Sequence, residues 1–141
     1  MKQTTYHRNQ DLLSVARQTF VAAATRGRVM NISELIKATL RRRPRMHYID
    51  YDTASAKLHA IDKYGLEAVA HTAESRAQWS ELRQQVADAM AARRRLSFDQ
   101  ALTFVLHFKR PSRFYLTPNT VYKILCANFR TGLVELSAKR S

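Results

Sequence analysis

Apolar side chains recur at helical spacing over most of the chain. Leu13, Ala16, Phe20 and Ala24 fall on one face of a helix that runs to about Arg26, with Asn9 or Asp11 as its cap and Gly27 ending it. Ile32, Leu35, Ile36 and Leu40 mark a second helix behind Asn31 or Ser33. It stops before Pro44, because proline pushes the preceding residue out of the α region. Asp50 caps a third helix from about Tyr51 to Tyr64, with Ala54, Leu58 and Ile61 facing inward and Gly65 closing it. Residues 66–94 read as one long helical stretch. Its inner stripe of Leu66, Val69, Ala70 and Ala73 gives way near His71-Thr72 to Trp79, Leu82, Val86 and Met90, and Thr72 suits a cap for the second part. Ser97 caps a fifth helix carrying Phe98, Ala101, Leu102, Val105 and Phe108, and Lys109-Arg110-Pro111 stops it. Thr117-Pro118 begins a sixth, a capping hydroxyl followed by proline in the first turn, which reaches about Phe129.

Between these stretches, Met46-His47-Tyr48-Ile49 and Phe114-Tyr115-Leu116 read as short extended pieces. After Gly132, Leu133-Val134-Glu135-Leu136 reads as a short strand or a docked tail, and residues 137–141 as a frayed end. The expectation is a mostly α fold: a single compact domain, residues 1–141, of about six helices. Three Gly and three Pro are too few for the tight turns of a sandwich or barrel.

Residues 43–58 and 110–125 resemble each other at an offset of 67. Arg43/Arg110, Pro44/Pro111, Tyr48/Tyr115, Thr53/Thr120 and Leu58/Leu125 are identical, and Ile49/Leu116 and Asp52/Asn119 are close. The shared unit is helix, basic residues, proline, extended piece with tyrosine, capped helix. Residues 31–64 and 95–130 then read as two pseudo-repeated helix–extended–helix units linked by the long helix 66–94, with the extended pieces pairing as a short β ribbon. The competing explanation is that any two capped helices after a proline look alike.

Composition adds charge to this picture. The 141 residues are 45% hydrophobic and 25% charged, which are globular proportions. A domain of this length buries roughly two-thirds of its unfolded surface and needs no disulfide or metal to fold. There are 24 Lys and Arg against 11 Asp and Glu, a net charge of +13. Seventeen of the cations are Arg, whose rigid donor fork suits phosphate better than the point charge of Lys. Residues 1–48 carry ten cations and two acids, residues 49–90 four and seven, and residues 91–141 ten and two. Such segregation implies a charged face, since solubility alone is better served by mixing. The dense clusters are Arg41, Arg42, Arg43 and Arg45; Arg93, Arg94 and Arg95; and Lys109, Arg110 and Arg113. A helix macrodipole accounts for one or two cations at a helix end and poorly for triplets.

These clusters point to a nucleic-acid partner, with DNA the favoured form, and to a regulator or an accessory factor of a phage or mobile element. Residues 97–130 suggest a helix-turn-helix-like use in which Arg110 and Arg113 sit on phosphate while Asn119, Tyr122 and Lys123 approach a groove. Tyr115, like Tyr48, lies among cations and suits either stacking on an unpaired base or packing at the rim of the core. The competing class is a non-enzymatic helical module whose basic ends grip an acidic protein, or whose acidic middle grips the basic end of a second copy to build a homo-oligomer, with the face of helix 73–94 carrying Trp79, Leu82, Val86 and Met90 as a candidate interface.

No catalytic residue, cofactor or metal is expected. The five His have no metal-ligand spacing, and His59 with Asp62 reads as a surface pair. There is no phosphate-cradling glycine loop, no nucleophile elbow and no paired cysteine. Cys126 sits in an apolar helical pattern and reads as a small buried hydrophobe. No apolar run approaches the roughly 18 residues of a membrane span, and the first residues carry no signal-peptide core, so no membrane partner and a cytoplasmic location are expected.

Overall fold

The structure is a computed structural model. It describes the backbone of residues 3–93 and 95–138, and the side chains of those residues as far as 128. Among the described residues there are six α-helices: α1 (Gln3–Thr25), α2 (Ile32–Leu40), α3 (Tyr51–Tyr64), α4 (Ala73–Ala92), α5 (Phe98–Phe108) and α6 (Pro118–Ala138). A single 3-10 turn, Leu66–Ala68, separates α3 from α4. Local chemistry sets most of the helix starts. Asn31 accepts from the Glu34 N–H, Asp50 from Thr53, Thr72 from Ser75 and Thr117 from Thr120. Ser97 and Gln100 complete a reciprocal capping box at α5. Each cap is worth about 1 kcal/mol. α1 ends at Gly27, whose φ of 78° lets Arg28 N–H and Gly27 N–H reach back to the Ala23 and Ala24 carbonyls.

The helices bury two separate apolar clusters. Leu12, Val15, Ala16 and Phe20 of α1, Leu35 and Ile36 of α2, and Val121, Ile124 and Leu125 of α6 form one, with Phe114. Ala54, Leu58 and Ile61 of α3, Trp79, Leu82 and Val86 of α4, and Ala101, Leu102 and Val105 of α5 form the other. The chain therefore exchanges helices. After α1 and α2 it crosses to place α3 against α5, and after α4 and α5 it crosses back to place α6 against α2 and α1. The crossings are residues 41–50 and 109–117.

Several expectations need correction. Among the described residues there is no strand, so the extended pieces form no β ribbon. Pro44 and Pro111 have no N–H to give a ladder, and arginine side chains take the nearby carbonyls instead. The repeat reading loses that backbone link. The 66–94 stretch is not one long helix: it breaks at His71-Thr72, as the change of stripe suggests, with the 3-10 turn before the break and α4, capped by Thr72, from Ala73 to Ala92 after it. Neither Asn9 nor Asp11 caps α1, which already runs at Gln3, and Asp11 is buried in its middle. The 133–136 segment is helical rather than a strand, because α6 continues past Phe129 to Ala138. Of the expected frayed end, residues 139–141 lie outside the described residues. Phe108, the last residue of α5, is not inward but 74% exposed.

Candidate functional site

The two crossing segments meet through their identical Arg-Pro pairs. Arg43 donates from Nε to the Pro111 carbonyl at 3.0 Å and from Nη2 to the Arg110 carbonyl at 2.9 Å. Arg110 returns the pattern, from Nε to the Pro44 carbonyl at 2.8 Å and from Nη2 to the Arg43 carbonyl at 3.0 Å. Both prolines are buried beneath this clamp. A guanidinium is suited to the task because its rigid fork can serve two carbonyls at once and never loses its charge.

A groove of about 510 Å³ opens beside the clamp. Arg43, Arg93, Lys109 and Arg110 line it, so one or more members of each sequence cluster converge there. Phe104 forms part of its wall, with the Arg93 guanidinium 5.2 Å and the Lys109 ammonium 6.0 Å from the ring centre. The ring's negative face attracts both cations. Gln85 and Asp88 of α4 also line the groove. Asp88 is the acid there, and it accepts from Gln84 at 2.8 Å. Among the described residues none of the four cations makes an ion pair.

The remaining candidates are scattered. Arg41, Arg42 and Arg45 are exposed on the 41–50 crossing, where Arg42 only grazes the Thr19 hydroxyl at 3.4 Å. Arg95 is exposed after α4, and Arg94 lies outside the described residues. Arg113 is engaged by Glu74 and sits 4.6 Å from the Tyr115 ring centre. Tyr115 is half-buried and exchanges a hydrogen bond with Ser112 at 3.0 Å. Asn119, Tyr122 and Lys123 are exposed on α6 and do not line the groove. A helix-turn-helix pair is not formed by residues 97–130. α5 packs on α3 and α4 while α6 packs on α1 and α2, so neither supports the other. The proposed self-association face of α4 is spent on the core, with Trp79, Leu82 and Val86 buried. Cys126 is half-buried rather than buried.

Three polar residues that sequence reasoning had not connected anchor the crossing. Asp11 accepts from the Arg45 N–H at 2.7 Å and from the Tyr48 hydroxyl at 2.8 Å. Burial and this carboxylate push the Tyr48 hydroxyl well above its ordinary pKa, so Tyr48 is a structural donor. His47 is 2% exposed and faces Gln85 of α4. The Gln85 amide nitrogen donates to the Arg110 carbonyl at 3.0 Å, so its oxygen faces the imidazole and His47 Nε2 carries the proton. Nδ1 is buried without a partner. Burial holds the His47 pKa below its ordinary value, with the Gln85 bond and Glu81 opposing and Arg43 adding to the shift. One signal for Asp11 was present: it shares a helical face with Val15, where a solvated carboxylate has no place.

Among the described residues no three His, Cys, Asp or Glu side chains gather as a metal site. No helix among them is long and apolar enough to cross a membrane. The chain matches no protein-family model, no curated protein and no solved structure.

Proposed function

We propose that the protein binds nucleic acid through the groove beside the crossing, with Arg93 and Lys109 as the principal phosphate contacts and the free edges of Arg43 and Arg110 behind them. The observation that carries this reading is convergence. Three basic clusters, far apart in sequence, supply side chains to one groove, and no acid pairs with them there. The crossings add to the field, since residues 41–50 and 109–117 together hold seven Lys and Arg against the single acid Asp50. Phosphate is the anion best matched to such a spread of guanidinium forks. Arg41, Arg42 and Arg45 extend the basic surface, and the protein acts as a binding factor rather than an enzyme.

A finer reading concerns architecture. We propose that residues 31–64 and 95–130 descend from one unit. The support is the reciprocal clamp of Arg43 and Arg110, the matching caps Asp50 and Thr117, and the matching buried pairs Ala54/Val121 and Leu58/Leu125.

The test is a fluorescence-anisotropy titration of nucleic-acid-free protein against duplex DNA, single-stranded DNA and hairpin RNA, from about 50 to 300 mM salt. Binding whose logarithm falls linearly with log salt is expected, with a slope of roughly 0.7–0.9 per phosphate contact. No binding to any form at the lowest salt would overturn the reading and leave an acidic protein or a second copy as the partner.

A further inference from the structure

We propose that Phe108 is a stacking platform for an unpaired base, which makes single-stranded nucleic acid the ligand of the groove; the inference rests on the reading of the groove as a nucleic-acid site. α5 turns its buried stripe, Ala101, Leu102, Val105 and Leu106, into the α3–α4–α5 cluster. Phe104 packs at the edge of that cluster, and Phe108, one turn on, stands outside it. Phe104 is half-buried in the groove wall and already has Arg93 and Lys109 near its ring. Phe108 rests against Phe104, ring centres 5.4 Å apart and tilted by 38°, and is 74% exposed.

An isolated exposed phenylalanine is ordinary. This one continues an aromatic strip out of a groove lined by four cations, and Lys109 follows it directly in the chain. Water is a poor neighbour for the ring, and covering it with another apolar surface is favourable. A ligand that is anionic along one edge and flat and aromatic along the other satisfies both features. A single strand is such a ligand, because its phosphates track a basic groove while its bases offer π faces. A duplex offers the phosphates but keeps its bases stacked on each other. An acidic peptide offers charge without a regular series of flat rings. Tyr48 and Tyr115 are poor alternatives for stacking, since one hydroxyl is tied to Asp11 and the other ring lies beside Arg113 in a cleft of about 70 Å³.

The experiment compares the full chain with Phe108→Ala and Phe108→Trp, titrated against an unstructured single-stranded oligonucleotide and a duplex of equal length at fixed salt. Phe108→Ala is expected to weaken single-strand binding about tenfold, the scale of losing one stacked base. It should leave duplex binding and the salt slope unchanged, because no phosphate contact is removed. Phe108→Trp is expected to keep single-strand affinity, and its new exposed indole should be quenched on binding, against a constant background from buried Trp79. Unchanged single-strand affinity in Phe108→Ala, or equal losses for both ligands, overturns the platform and leaves the groove's role intact. Wild-type protein that binds neither ligand overturns the groove reading and the platform with it.

Discussion

The two crossing segments begin alike and are held differently. Each opens with Arg-Pro, buries its proline, and spends its arginine on the other's carbonyls. In 41–50 the next anchor is the buried carboxylate of Asp11, which takes both the Arg45 N–H and the Tyr48 hydroxyl. In 109–117 it is the half-exposed Glu81, which takes the Ser112 N–H at 2.7 Å. Three residues past each proline, one segment buries His47 and the other Phe114. The first crossing is thus a polar, titratable lock. The second is apolar beneath, and it gives Lys109 and Arg110 to the groove where the first gives Arg43 alone. A shared sequence pattern therefore fixes the clamp, and the residues around it decide which crossing is anchored by buried polar groups and which by an apolar side chain.

The comparison breaks most visibly at the two carboxylates. Asp11→Ala leaves a backbone N–H and a phenol without their acceptor and is expected to lower stability by about 3 kcal/mol, against about 1 kcal/mol for Glu81→Ala at its wetter site. Urea unfolding of the two variants measures the gap, and equal losses would erase the distinction. Next come the clamp arginines. Arg43→Gln and Arg110→Gln should each cost about 1–2 kcal/mol and nearly the same amount, because each loses two partly exposed bonds to carbonyls. Their double variant should show a coupling of at least about 0.5 kcal/mol, which a double-mutant cycle reads.

A pH series sharpens the contrast between His47 and Phe114. The folded pKa of His47 is below the unfolded value of 6.5, so the unfolded chain takes the proton more readily. The lock's contribution is complete above pH 6.5, declines as pH falls below it and is fully lost once pH passes through the folded pKa, by at most about 1.4 kcal/mol per pH unit. Phe114 contributes no such dependence, and His47→Gln should flatten the slope in urea midpoints measured across this window. The smallest effect belongs to the groove. Asp88→Asn removes the acid among its cations and should tighten nucleic-acid binding about twofold at low salt, as expected of one exposed charge some ångströms away.

The helices and their caps were legible because capping is local: Asn31, Asp50, Thr72, Ser97 and Thr117 each act within three residues. The exchange of α3 and α6 between cores was not, since the inner stripes of Leu58 and Leu125 are equally apolar and either core would accept them. Asp11 looked like a cap because aspartate favours that position, and only its register with Val15 argued otherwise. The clamp of Arg43 and Arg110 was not legible because a sequence counts charges without showing which carbonyls they meet. Phe108 looked inward because its spacing from Val105 continues the stripe, but it is the last residue of α5 and stands exposed.

The most direct measurement is the salt dependence of nucleic-acid affinity for Arg93→Gln/Lys109→Gln beside Arg43→Gln/Arg110→Gln, with the melting temperature of each recorded in the same buffer. If the clamp holds the fold and the groove cations hold the ligand, the first pair loses affinity and about 1.5 units of salt slope at an unchanged melting temperature. The second pair then loses melting temperature first. A full salt slope in Arg93→Gln/Lys109→Gln would contradict the account and move the interface away from the groove.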